Sequence, residues 1–318
     1  MTGMTRRSAL AGGVAIASAG GLAGCGGGGG RDRIAVSFHN MAEPFFVVMR
    51  RELMAEATRL DVEVTVLDGQ ANSAKQSADI EAALVQGVKG VILAPTDVNA
   101  LAPAVNSILE EGLPVITVDR RIEGATAPVA HVGADNVAGG RMMVEWITRT
   151  FPGGARIVLL TGQPGSSSAI DRTRGVKAAL AAAGRRYNLV AEQSANWSRD
   201  QGLTVTQNIL TSLSSGRPDV ILAENDDMAF GAIEALRTAG LDGVSVLGFD
   251  ATPEALRLIR SGSMAVTIEQ SPSRQIRTAL QQVVGAIRSG SPLTSVSIAP
   301  VVITRATLAK AERLDEVA

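Results

Sequence analysis

Two acidic residues stand directly behind apolar runs. Asp119, followed by Arg120 and Arg121, ends the run 114–118, and Asp250 ends 245–249. The placement recurs along the chain. His39-Asn40 and then Glu43-Pro44-Phe45-Phe46 follow 34–38, and Ala94-Pro95-Thr96-Asp97 closes the run that starts at Gly90. Thr161-Gly162, Asn196-Trp197, Glu224-Asn225-Asp226-Asp227 and Glu269-Gln270 end later runs, and Arg172 comes shortly after Gly165-Ser166-Ser167-Ser168. Carboxylates, amides, guanidiniums and aromatic rings gathered this way suit a neutral, polyhydroxylated ligand. Each hydroxyl of such a ligand donates and accepts. A carboxylate or amide oxygen takes the donated proton, and Arg forks across two neighbouring oxygens. Aromatic faces cover the apolar C–H surface, and the hydroxyls supply the partners that a buried carboxylate needs.

Each residue taken alone has an ordinary explanation. Asp226 or Asp227 ahead of a helix reads as an N-cap, and capping is an alternative for Asp119 and Asp250 too. Phe45 and Phe46 are as well suited to a core as to a pocket. A lone histidine, His39, reads first as an incidental surface residue. Trp197 sits in a polar loop with Asn196, Ser198 and Arg199, where a core role is less expected. The weight lies in their shared position at strand ends, because open α/β sheets bind ligands beyond the carboxyl ends of their strands.

The elements that must position these residues alternate. Strands are predicted over 34–38, 62–67, 90–94 and 114–118, with helices over 43–59, 74–86 and 98–111 between them. The pattern restarts with strands over 156–161, 188–193, 220–223 and 245–249 and helices over 169–183, 200–213 and 228–239. A strand over 264–268, a helix over 271–289 and an extended run over 296–304 complete the chain. This alternation predicts parallel sheets covered by helices. Near-continuous apolar runs such as Val91-Ile92-Leu93 fit strands buried on both faces. The expected architecture is α/β, with two doubly wound parallel-sheet lobes and the break near Gly133-Ala134-Asp135.

Composition narrows the function classes. The 318 residues carry 30 basic and 31 acidic side chains, with no basic run fit for nucleic acid. Two histidines and one cysteine supply few soft metal ligands, so no cofactor and no metal are expected. No Gly-x-Gly-x-x-Gly follows the first strand, and neither a phosphate loop nor a Gly-x-Ser-x-Gly elbow occurs. The polar residues include no nucleophile paired with a base, so an enzyme is not expected. The one cysteine, Cys25, closes Leu22-Ala23-Gly24-Cys25, behind Arg6-Arg7 and a Gly/Ala-rich stretch, and Gly26 to Gly30 follow it. That layout reads as a lipoprotein signal over 1–24 with acylation at Cys25. Thr5-Arg6-Arg7-Ser8-Ala9-Leu10 resembles a twin-arginine export motif, with Ala9 where the usual pattern has Phe.

Six stretches carry a resemblance over 33–304: Pro44-Phe45-Phe46, Pro95-Thr96-Asp97, 114–120, Asp135-Asn136-Val137-Ala138-Gly139-Gly140, Asn225-Asp226-Asp227-Met228-Ala229 and Gly248-Phe249-Asp250-Ala251-Thr252-Pro253. In number and order they resemble the periplasmic sugar-binding proteins of ABC transporters, of the ribose-binding type. The resemblance implies a three-segment hinge near Gly133-Ala134, Gln270-Ser271 and Ile298-Ala299. The lobes would be 33–133 with 271–298, and 134–270 with 299–318, behind a lipidated tether over 25–32. It implies a ligand held in the cleft by Glu43, Phe45, Phe46, Asp119, Arg120, Arg172, Trp197, Asn225, Asp250 and Gln270, with His39 and Ala94 as further pocket lining. Glu43 stands where the ribose type has Asn, and Ala94 where it has Asn, so a hexose, another pentose or a polyol fits as well as ribose. The implied partners are a neutral sugar or polyol and a membrane permease with its ATPase, served by a lipid-anchored, extracytoplasmic monomer. A ligand-presenting subunit for a sensor shares this reading of the residues. The effector domain of a lactose-repressor-type regulator shares the fold, but would need a helix-turn-helix where the chain has a signal and glycines.

Overall fold

The computed structural model describes residues 31–213 and 216–317. The signal, Cys25 and its glycines lie outside the described residues. The first part of the chain runs β1 (Asp32–Phe38), α1 (Pro44–Leu60), β2 (Val62–Asp68), α2 (Ser73–Val85), β3 (Gly90–Leu93), α3 (Ala102–Glu110), β4 (Val115–Val118) and β5 (Ala130–Ala134). A second series follows: α4 (Asn136–Thr150), β6 (Ala155–Thr161), α5 (Ser167–Ala183), β7 (Tyr187–Ser194), α6 (Arg199–Ser212), β8 (Val220–Ala223), α7 (Asp226–Thr238), β9 (Ser245–Leu247) and α8 (Pro253–Ser261). β10 (Thr267–Glu269), α9 (Pro272–Ser289), β11 (Val296–Ile298), β12 (Val301–Ile303) and two short 3-10 helices end it.

The strands form two parallel sheets, one in each lobe. The first has the order β11-β5-β4-β3-β1-β2. The second has the order β7-β6-β8-β9. A parallel bridge from Leu247 to Val266 continues the second sheet toward the antiparallel pair β10 and β12. β3, β4 and β8 are buried at every position, as strands covered on both faces must be. Strand order reverses between β1 and β3 in one lobe and between β6 and β8 in the other. Crevices open at such points beyond the carboxyl ends. The chain passes between lobes from β5 to α4, from β10 to α9, which packs back on α1, and from β11 to β12.

Several elements differ from the sequence expectation. The helix expected over 98–111 begins only at Ala102, since Pro103 lacks an N–H and is accommodated in the first turn. The run 296–304 is two strands in two different sheets, broken at Ala299-Pro300. β5, α4 and α8 were not anticipated.

Candidate functional site

Asp119 leaves the end of β4 at φ +61, Trp197 leaves the loop after β7 at φ +63, and Asp250 follows β9 at φ +115. Left-handed backbone at a residue other than glycine costs roughly 1–3 kcal/mol and persists only where the surroundings impose it. These three side chains enter one cavity, shared with Glu43, Phe45, Phe46, Arg120, Ser168, Arg172, Asn225 and Gln270. The ten residues singled out from the sequence thus surround a single space between the lobes. Ser168 joins them unanticipated; its hydroxyl donates to the Asp119 carbonyl at 3.4 Å. His39 and Ala94 do not line it.

The lining is charged but closed. Asp119, Arg120, Arg172, Asp250 and Gln270 are between 1 and 4 % exposed. Arg120 lies 3.6 Å from Asp119 and 3.7 Å from Glu43, and faces the rings of Phe46 and Trp197, each at 5.7 Å. Its Nε and Nη1, and Nε1 of Trp197, find no hydrogen-bond partner among the described residues. Arg172 is held more firmly. Nε donates to Asn136 Oδ1 at 2.8 Å, Nη1 donates to the Glu224 carbonyl, and the guanidinium stacks 3.6 Å above Phe249. Gln270 donates to Asp250 Oδ1 at 2.5 Å. Burial pushes the Asp119 carboxyl up to about 6 against the pull of Arg120 and Arg172, and raises Asp250 well above the usual range. Donors without partners and carboxylates short of them, facing one small space, call for a ligand that offers both functions at once.

His39 braces this arrangement from behind. Gln76 donates to the Ala94 carbonyl and accepts from the Thr96 amide, which fixes its amide orientation. His39 Nδ1 lies 3.3 Å from the Thr96 hydroxyl and Nε2 lies 3.0 Å from Glu43 Oε1. Burial, then Arg120, lowers the imidazole's pKa and favours its neutral form. With Nε2–H donating to Glu43, Nδ1 faces the Thr96 oxygen, whose own proton goes to Gln76 Oε1 at 3.0 Å.

Other expectations are corrected. Neither Asp226 nor Asp227 caps α7; Asn225 does, accepting from the Met228 amide, while its Nδ2 donates to the Trp197 carbonyl. Asp226 is a buried knot that accepts from Thr252 and Thr267. Trp197 is 4 % exposed and packs in the hydrophobic core while also lining the cavity. Its polar sequence neighbours concealed that role. Among the described residues no cluster of three or more His, Cys, Asp or Glu is placed to hold a metal, and no helix is long and apolar enough to cross a membrane.

Residues 34–291 match a family described as a periplasmic binding protein domain. The chain belongs to the periplasmic binding protein family. This binding protein is 38% identical over 246 residues to the ribose import binding protein RbsB of Escherichia coli, covering 77% of this chain and 81% of that one. It is 30% identical over 280 residues to a xylitol-binding protein of Mycolicibacterium smegmatis, covering 84% and 78%. Among solved structures, the myo-inositol binding protein of Caulobacter, bound to myo-inositol, superposes with a TM-score of 0.89 at 56% identity, covering 91% of this binding protein and 98% of the other.

Proposed function

We propose that the protein is the ligand-capturing component of an ABC importer for a neutral sugar or polyol, and that its ligand is myo-inositol. The observation that carries this is the ring of donors and acceptors in one closed cavity, with carboxylates from both lobes and aromatic walls. Three carboxyl groups, Glu43, Asp119 and Asp250, stand beside the two guanidiniums of Arg120 and Arg172, a mixture that suits an uncharged ligand able to donate and accept. A ring with a hydroxyl on every carbon offers a donor and an acceptor on every edge, and a site built to hydrogen-bond hydroxyls rejects analogues that lack one. The likeness to the Caulobacter protein supports the same choice.

The test is a thermal-shift and calorimetric screen of the domain from Arg31 onward against myo-inositol, ribose, xylitol and hexoses. A ligand of the native state alone stabilises it by about 2.7 kcal/mol at a hundredfold excess over Kd. Myo-inositol is expected to give the largest shift. A larger shift with ribose would overturn the ligand assignment, and no shift with any polyhydroxy compound would overturn the class. Trp197→Phe, which keeps the ring and removes the Nε1 donor, is the cleaner site variant; Trp197→Ala would also open the core.

The protein acts outside the cytoplasm as a monomer, tied to the membrane by lipid on Cys25, with Gly26 to Gly30 as a flexible leash. The sequence Leu22-Ala23-Gly24-Cys25 supports this anchoring. Cys25→Ser is expected to move the protein from the membrane fraction to the soluble extracytoplasmic fraction. Retention in the membrane fraction would refute lipid anchoring.

A further inference from the structure

The end of the chain reaches back to the ligand cavity. Arg313, just past the 3-10 helix Arg305–Lys310, is 3 % exposed. Its Nη2 donates to the carbonyl oxygens of Asp250 and Ala251, the latter at 2.9 Å, and lies 3.7 Å from Oε1 of buried Glu269. Glu269 accepts from the Ser271 amide at 2.8 Å through Oε1 and from the Glu312 amide at 3.2 Å through Oε2. The residues held by this pair are Asp250 at φ +115, Ala251 at φ +50 and Ser271 at φ +55, all left-handed and none a glycine. They flank the hydrogen bond from Gln270 to Asp250 that forms one wall of the cavity. A turn with such dihedrals relaxes unless something outside it imposes them. One buried nitrogen, Nη2, ties two consecutive carbonyls and supplies that constraint, while Nε and Nη1 find no hydrogen-bond partner among the described residues.

We infer that Arg313 is a positioning residue of the ligand site. It fixes the backbone turn that aims the Asp250 carboxylate into the cavity and keeps it within reach of Gln270. Arg313 lies beyond the segment 34–291 that defines the family match, and no sequence motif marks it. The inference rests on the reading of Asp250 and Gln270 as ligand contacts.

The experiment compares myo-inositol binding by calorimetry in the full domain and in Arg313→Met, Arg313→Lys, Asp250→Asn and the double variant Arg313→Met with Asp250→Asn. Circular dichroism monitors the fold. Arg313→Met is expected to weaken binding roughly tenfold or more, as loss of a supporting residue does at other preorganised sites. Arg313→Lys restores one donor and recovers part of the loss. In the Asp250→Asn background the Met substitution adds little, because both act through one carboxylate. A merely structural role would instead give losses that add in full. Should Arg313→Met fail to fold, Arg313→Lys with and without Asp250→Asn carries the same comparison. Unchanged affinity in the Arg313 variants that fold, or full additivity, overturns the proposal. Failure of the ligand reading looks different: the unaltered domain then binds no polyol at all, and the positioning role falls with it.

Discussion

Asp119 shows what one buried residue costs and contributes. Its carboxyl titrates near 6 because burial outweighs the attraction of Arg120 and Arg172, whereas in an unfolded chain it titrates at about 3.9. Between these values the folded protein binds more protons than the unfolded one. Stability therefore falls as pH rises from about 4 to 6 and does not recover above that window. Glu224, raised to about 7 chiefly by burial, extends the decline upward. Asp119→Asn removes the ionised form and should raise the ligand-free Tm at pH 8 by a few degrees, since 1 kcal/mol is worth about 2–4 °C in a protein somewhat smaller than this one. Under the proposed ligand reading the same change removes an acceptor for a hydroxyl and should weaken myo-inositol at least about tenfold, or 1.4 kcal/mol. Scanning calorimetry with and without ligand measures both. A ligand-free Tm at pH 8 that falls, with affinity retained, would contradict this account.

The elements that aim these residues were legible where side chains announce them. β4 and β8 are short, largely apolar runs closed by an acidic residue, Asp119 and Glu224, so Asp119, Asn225 and their neighbours could be placed from the sequence. β5 and α4 were not, and the reason is physical. β5 reads Ala-His-Val-Gly-Ala, and α4 opens on Asn-Val-Ala-Gly-Gly, which lowers helix propensity. Those glycines serve packing instead. A Cβ at Gly140 would strike the Arg172 carbonyl oxygen, one at Gly139 the Phe249 ring, and one at Gly175 of α5 the Val137 carbonyl. Close approach of α4 to α5 lets Asn136 hold Arg172 in place. Ser168 and Arg313 escaped for a related reason, since their partners are backbone carbonyls distant in sequence. Gly140→Ala is therefore expected to cost about 1–3 kcal/mol by overpacking. It should also weaken ligand binding in the fraction that folds, because α5 must shift and carry Arg172 with it. Chemical denaturation and calorimetry on one preparation test this; a fully stable variant with unchanged affinity would show that α4 and α5 are not tightly keyed.

At the scale of the molecule the two lobes are shut on each other. Beyond the cavity, the Val98 amide donates to the Gly165 carbonyl at 2.9 Å and the Arg121 amide to the Ser167 hydroxyl at 2.9 Å, while the Arg121 guanidinium pairs with Asp171. A ligand cannot reach side chains that are 1 to 4 % exposed, so binding requires an open form, and the closed form is the one that satisfies contacts from both lobes. Any contact made only on closure contributes to ligand affinity without touching ligand. Arg121 is such a residue. Its guanidinium is 30 % exposed and the Asp171 side chain 12 %, so solvent screening limits the pair to about 0.2–1 kcal/mol. Arg121→Ala should therefore raise the Kd for myo-inositol by no more than about fivefold, by speeding release from a closed state that opens more readily. Stopped-flow kinetics should show the change in the off-rate. Small-angle scattering should show a larger radius of gyration for the ligand-free variant and an unchanged one once ligand is saturating. A slower on-rate with no change in release would mean that Arg121 acts on ligand encounter rather than on closure.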